Sequence, residues 1–290
     1  MRSGLAAVAS PLGPLILMLS FGGTAGAGDI GGFAQVNYAA RVSGVPCAPS
    51  GPCDFLLGDE RFQLKAEGAS EQGRSSFAAK VDLFQDALEN RSGVEVREVF
   101  VDLTGKHAAL RVGRQIVTWG VGDLLFANDN FPKDWVAFFT GRPMEYLKVG
   151  SDALKLDLHP GVIDAEIVVL PFFQPDRYPT GDRLLLPDPF PPGLPRLEEK
   201  KQRSLENVEL AGKLSRYVSD WSLSLYGART FYRSPAMALD DPATPSAVRI
   251  FYPRLNTCGA SATGSLLSGV VGLEGAYLDS EEDRAGTNPA

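Results

Sequence analysis

Between Arg111 and Glu145 the chain gathers side chains suited to hold or sort a solute. Arg111, Arg114, Gln115 and Trp119 stand on one strand-like segment. Asp123, Asn128, Asp129, Lys133, Asp134, Arg142 and Glu145 crowd the loop that follows, among Trp135, Phe138 and Phe139. A long loop carrying both signs of charge can fold into a lumen and narrow it, where rings of charge select what passes. The same residues could instead brace a packed lid, with Asp129 and Lys133 pairing to stiffen it. Both readings stand on the sequence.

Catalytic constellations are missing by comparison. The two histidines, His107 and His159, fall in short turns away from the strand faces, whereas hydrolysis by a nucleophile or activated water generally needs a base beside it. Asp164 and Glu166 share a strand face, but no oxyanion donors or leaving-group acid accompany them at a recognisable spacing. No glycine-rich phosphate loop leads from a strand into a helix, and no zinc-type ligand spacing occurs. The chain therefore reads as a non-enzyme without catalytic, cofactor or metal site. Its net charge of −7 argues against nucleic acid, which a clustered basic face would serve.

The elements that must position these residues are strands. In Arg61-Phe62-Gln63-Leu64-Lys65-Ala66-Glu67 every second side chain is apolar, which gives a strand one oily and one wet face. Eleven such segments follow residue 30: Phe33–Val42, Arg61–Glu67, Ser76–Phe84, Val94–Leu103, Ala109–Trp119, Ala153–Leu158, Ile163–Val169, Val208–Leu214, Trp221–Tyr226, Leu255–Thr263 and Val270–Leu278. Gly113 blurs the alternation in the fifth, as a bulge would. By parity the wet faces carry Arg41, Arg61, Lys65, Lys80, Arg111, Lys155 and Lys213 against Glu67, Asp82, Glu98, Asp102, Asp157, Asp164, Glu166, Glu209 and Glu274. The balance favours neither an anion nor a cation pore. A lipid-facing Arg costs roughly 2–4 kcal/mol at mid-depth, so Arg114 is expected inside.

Connections sort by length. Those at 68–74, 104–108, 159–161, 217–220 and 264–269 are short; those at 43–58, 120–152, 171–207 and 231–250 are long; that at 85–93 is intermediate. Short turns at one rim and long loops at the other are the rhythm of an outer-membrane barrel, whereas a soluble sandwich has no reason to sort them. Phe84, Trp119, Phe172, Phe173, Trp221, Phe231 and Tyr232 lie near strand ends, where interfacial girdles would form.

The N-terminus has Arg2, the apolar run Pro14–Phe21 and the exit Ala25-Gly26-Ala27, the marks of a cleaved secretory signal over 1–27. Residues 28–290 then form the barrel. Export into an oxidising compartment makes a small Cys47–Cys53 disulfide ring in the first long loop the expected state, and Cys258 is expected as a small buried filler. The last ten residues read as loop, which leaves an odd strand count and an open edge. Because a membrane does not tolerate such an edge, the chain is expected to be a C-terminally truncated piece of a longer barrel.

The run Arg111-Val112-Gly113-Arg114-Gln115-Ile116-Val117-Thr118-Trp119-Gly120, continued by Asn128-Asp129-Asn130-Phe131-Pro132-Lys133-Asp134-Trp135, resembles uncharacterised porin-like outer-membrane β-barrels of Gram-negative bacteria related to alginate-export-type channels. Glu145-Tyr146-Leu147-Lys148 with Ser151-Asp152-Ala153, and Pro171–Arg177, fit the same pattern. The resemblance covers most of residues 30–290. It implies an all-β, antiparallel, up-and-down transmembrane barrel, incomplete at about eleven strands, in the cell outer membrane. It implies a passage role and supplies no substrate; taken with the strand and charge readings, the expected function is passage of a small solute or exported polymer, with outer-membrane lipid as partner, no nucleic acid, and a homo-oligomer left open. A sleeve or scaffold for a periplasmic or outer-membrane complex is the alternative; an outer-membrane hydrolase comes after it.

Overall fold

The computed structural model describes residues 5–8, 15–25, 28–40, 54–122, 125–181, 183–184 and 188–281. Residues with period-2 alternation form the strands. These are β1 (Leu5–Val8), β2 (Leu15–Ala25), β3 (Gly28–Ala40), β4 (Phe55–Ala69), β5 (Ser75–Asp86), β6 (Arg91–Thr104), β7 (Ala108–Gln115), β8 (Ser151–Leu158) and β9 (Asp164–Leu170). There follow β10 (Arg196–Glu198), β11 (Glu209–Val218), β12 (Trp221–Phe231), β13 (Ala236–Leu239), β14 (Val248–Phe251), β15 (Arg254–Leu266) and β16 (Gly269–Ser280). All eleven expected strands are present as β3–β9, β11, β12, β15 and β16. They pair antiparallel in chain order, and the sheet is not closed. The expected leader segment carries β1 and β2, which extend the sheet at the β3 edge; an unpaired edge is a template for any extended segment. Three short strands were not anticipated: β10, β14 and β13 form a separate small sheet from the two longest late connections. Cys47 and Cys53 lie outside the described residues.

One cross-strand row shows how the sheet is built. Phe77, Val101, Val112, Leu154, Val169 and Leu210 stand opposite one another in six successive strands. The row begins three residues from a short turn in β5 and ends two residues from a long loop in β11. Neighbouring strands are therefore staggered, as a curling sheet requires. The faces are inverted relative to a water-soluble domain. Leu64, Val101, Leu154 and Leu225 are 42–60 % exposed, while Gln35, Asn37, Asp82 and Glu209 are 0–1 % exposed. Charged residues on the outward row sit near strand ends: Glu60, Arg114, Asp152, Arg229, Arg254 and Asp279 towards the long loops and Arg216 towards a turn.

Four expectations are corrected. The bulge is not at Gly113, which pairs with Phe100 and Ala153 without a shift. It lies in β6, where Lys80 faces Glu98 and Val81 faces Val96, so Arg97 is the extra residue. A bulge re-aims side chains, and this one turns Arg97 inward while Val94, Val96, Val99 and Val101 stay outward. Gly113 takes φ 130°, and a Cβ there would collide with the Val99 carbonyl, so the position needs glycine. Arg114, expected inside, shares the outward row of Val112 at the loop end of β7 and pairs with Asp152. Cys258 is exposed, on the outward row opposite Gly227 and Tyr277. The girdle is thinner than expected. Phe84 lies inward beneath Arg61, Trp119 is buried, and Phe173 packs with Phe231 and Tyr252 under the loops. Trp221 keeps its outward rim place, lying over Gly264. An aromatic at a strand end can reach the loop above it as easily as the interface beside it.

Candidate functional site

The connection from β7 to β8 runs across the inner face of the sheet. β7 stops at Gln115, short of the expected Trp119, because the chain peels inward. The Ile116 N–H donates to the Glu98 carboxylate at 3.3 Å instead of to a neighbouring strand. Trp119 then fills a small interior core with Val117, Phe131, Ala153, Val168, Leu170, Ala211 and Tyr226. Its ring meets Phe131 edge-on at 5.2 Å and donates its N–H to Glu166 at 2.5 Å. Asn128 reaches Glu274 on β16, and Asn130 reaches Thr257 on β15 at 3.0 Å. The chain turns back through α1 (Trp135–Thr140), capped by the Asp134 carboxylate on the Ala137 N–H and closed by Gly141 at φ 75°. Arg142 lands on Asp59 of β4 and Asp86 of β5, at 3.0 and 3.2 Å. A single loop that touches β4 and β16 can do so only if the sheet curls around it.

Two charge clusters flank this loop. In the first, Arg61 bridges Asp59, Asp82 and Glu95 at 2.8–3.2 Å, and Arg61 and Arg97 lie 4.6 and 4.4 Å over the ring of Tyr146, a favourable arrangement for cations once desolvated. Arg177 pairs with Glu95, and Arg183 with Asp86 and Glu89. In the second, Asp129 holds Lys133 and Lys148 and accepts from the Thr118 hydroxyl, while both ammonium groups stand 4.5 Å from the Phe126 ring. Burial pushes the Lys133 ammonium below the usual lysine range, with Asp129 pulling it back up. Asp176 accepts from the Lys133 and Trp135 N–H groups, both at 2.8 Å. Burial raises its pKa, partly countered by those hydrogen bonds. A raised acid pKa means the burial cost of Asp176 is felt at neutral pH and relieved as pH falls through its folded value.

The structure brings together Gln115, Trp119, Asn128, Asp129, Lys133, Asp134 and Arg142, all buried. Arg111 lies apart on β7, bonded through two nitrogens to Asp102 and stacked on Phe100 at 3.9 Å. Arg114 is at the rim. The Glu145 side chain is exposed, and only its backbone carbonyl takes part, accepting from Arg97. Asp123 lies outside the described residues. Sequence reading missed Asp59, because β4 starts earlier than its alternation does, and Arg97, because the bulge broke parity. It also missed Arg183 and Arg233, which arrive from distant loops. Arg233 ties Glu209 to the Asn130 and Gln174 carbonyls. Arg177 was at hand in the Pro171–Arg177 motif, without a partner to pair it with. Among the described residues no group of three His, Cys, Asp or Glu side chains is placed to hold a metal ion.

No protein-family model matches this chain, and no curated protein matches it significantly in sequence.

Close packing of the loop root gives a direct test. A Cβ on Gly150 would collide with the Arg97 carbonyl at the bulge. Overpacking typically costs ~1–3 kcal/mol, so Gly150→Ala is expected to lower the unfolding free energy read from a denaturant titration by that order, whereas Gly181→Ala, with no described atom within 4 Å of the new Cβ, leaves it unchanged.

Proposed function

We propose that the chain is an outer-membrane β-barrel of the porin-like kind, a passage for small hydrophilic solutes or an exported polymer, with the 116–150 loop as its constriction. The observation that carries this reading is the inverted distribution of side chains. The outward row is apolar through its middle, with charges confined to the strand ends, and the inner face is charged. Exposed apolar surface of that extent is a liability in water and the required coat in lipid, where backbone groups are satisfied between strands and lumen residues are polar. The sorting of short turns to one rim supports the same reading. So does an inward loop lined with both signs of charge, which suits screening by size and hydration more than by net charge. No catalytic chemistry is assigned.

Planar-bilayer recording in potassium chloride tests it. Refolded wild type is expected to give discrete conductance steps, and replacement of residues 121–147 by a short glycine-serine linker to raise the conductance severalfold. The dense bracing of the loop is also what a sleeve around a partner would show. Sealed bilayers with both proteins, together with co-purification of a periplasmic protein, would choose the sleeve.

A further inference from the structure

We infer that Glu274 is the positioning residue of the constriction, holding the outbound arm of the loop against the far wall and thereby fixing the width of the passage. The inference rests on the channel reading above. One carboxylate collects four donors from a segment about 150 positions away in sequence. Val121 and Gly122 donate their backbone N–H groups to Oε2 at 2.8 and 3.0 Å, and Asn128 donates its N–H and side-chain amide to Oε1 at 2.9 and 3.0 Å. Hydrogen bonds to an ionised acceptor are about twice as strong as neutral ones, and successive N–H groups converging on one anion make a nest.

The surrounding backbone is shaped for this contact. Gly120, at φ 86°, turns the chain so that the next two N–H groups face the carboxylate, and a Cβ there would come within 2.6 Å of Oε1. Gly259 on β15 leaves the room that the Asn128 side chain occupies. The two arms of the loop are held differently. The return arm is fixed by Asp134, Arg142, Tyr146 and Lys148. On the outbound arm Leu125 is 79 % exposed and Val121 38 %, while Phe126 packs edge-on to Trp135 at 5.9 Å, so the stretch at Val121 and Gly122 is held by polar contacts rather than by its own apolar side chains. With Glu274 removed, Val121, Gly122 and Asn128 lose the acceptor that four of their donors share.

The test uses the full chain in bilayers. Glu274→Ala is expected to raise the conductance severalfold, approaching the linker-replaced protein, and Glu274→Gln to fall between, since its amide presents a donor where two donors already point. In the linker-replaced background Glu274→Ala is expected to change nothing. A second measurement does not depend on current. The Val121 Cβ and a Cβ built on Gly272 are 3.7 Å apart, close to the disulfide mean of about 3.8 Å. Val121→Cys with Gly272→Cys, in a Cys258→Ser background, should cross-link readily, and several times more slowly once Glu274→Ala is added. Oxidising that four-substitution variant should restore wild-type conductance and reduction should release it. Wild-type conductance from Glu274→Ala, an equal rise in the linker-replaced background, or cross-linking unaffected by Glu274→Ala would overturn the assignment. Absence of current from wild type and linker-replaced protein alike would remove the channel reading, leaving the cross-linking rates to decide whether Glu274 seats the loop.

Discussion

Leu225→Arg is expected to cost roughly 2–4 kcal/mol of folding stability in lipid vesicles, the depth-dependent penalty for a charge on the lipid face of a barrel. Leu225 lies near the middle of β12, is 60 % exposed, and faces Leu214 and Ala260 across its two neighbours. The same change is informative because the competing view predicts almost nothing. Substitution at an exposed site on a water-soluble domain is usually within about 0.5 kcal/mol. Urea titration of refolded protein in vesicles measures the difference. A Leu225→Phe control should stay near wild type, since it keeps the outward row apolar. A shift of a few tenths of a kcal/mol for Leu225→Arg would mean that this face meets water.

Asp59→Ala is expected to be comparably severe, for a reason on the opposite face. Asp59 is 1 % exposed and receives Arg61 at 2.8 Å and Arg142 at 3.0 Å. Its removal takes one carboxylate from two buried guanidinium groups at once. Removing one partner of a buried ion pair typically costs ~3–5 kcal/mol, because the remaining charge has lost its solvent without gaining a substitute. Arg61 keeps Asp82 and Glu95, and Arg142 keeps Asp86, which places the expectation at the lower end of that range. The second consequence is local. Arg142 ties the end of α1 to the wall, so limited proteolysis should cut near Gly141 in the variant and not in wild type. Lys65→Ala is the internal comparison. Its partner Glu67 and Lys65 itself are nearly half exposed, and such a pair contributes on the order of 0–1 kcal/mol. Equal destabilisation by the two changes would show that burial does not govern these pairs.

The strands were legible in the sequence because alternation is a local property. Phe62, Leu64 and Ala66 against Arg61, Gln63 and Lys65 already state which face is which, and pairing partners add only the stagger. Parity misled at Arg97 because a bulge is a relation between two strands, written in neither alone. It was also incomplete in β8 and β9. Asp157, Asp164 and Glu166 were rightly placed inward, but Ala153, Val168 and Leu170 on the same inner row form an apolar patch that makes sense only once Trp119 arrives to cover it. Cys258 was misplaced because a small residue on a Gly-rich strand carries no signal of its side.

For the candidate site, residue type was readable and partnership was not. The sequence marked Asn128, Asp129, Lys133, Asp134 and Arg142, leaving open whether their loop narrowed a lumen or braced a rim; the fold lays it on the inner face of the sheet and ties it to β4, β5, β15 and β16. Glu274 was visible as one inward acid among nine. Its selection by Val121, Gly122 and Asn128 depends on bringing β16 opposite the start of the loop.

By itself the sequence determined an all-β chain of eleven alternating strands, with one apolar and one polar face and connections sorted by length, because side-chain direction in a strand repeats every two residues whatever the rest of the molecule does. Tertiary structure alone decided the course of the 116–150 loop, the pairing of its charges and the inward turn of Arg97. Those depend on which distant groups come within about 3 Å of one another, a distance set by the curl of the sheet.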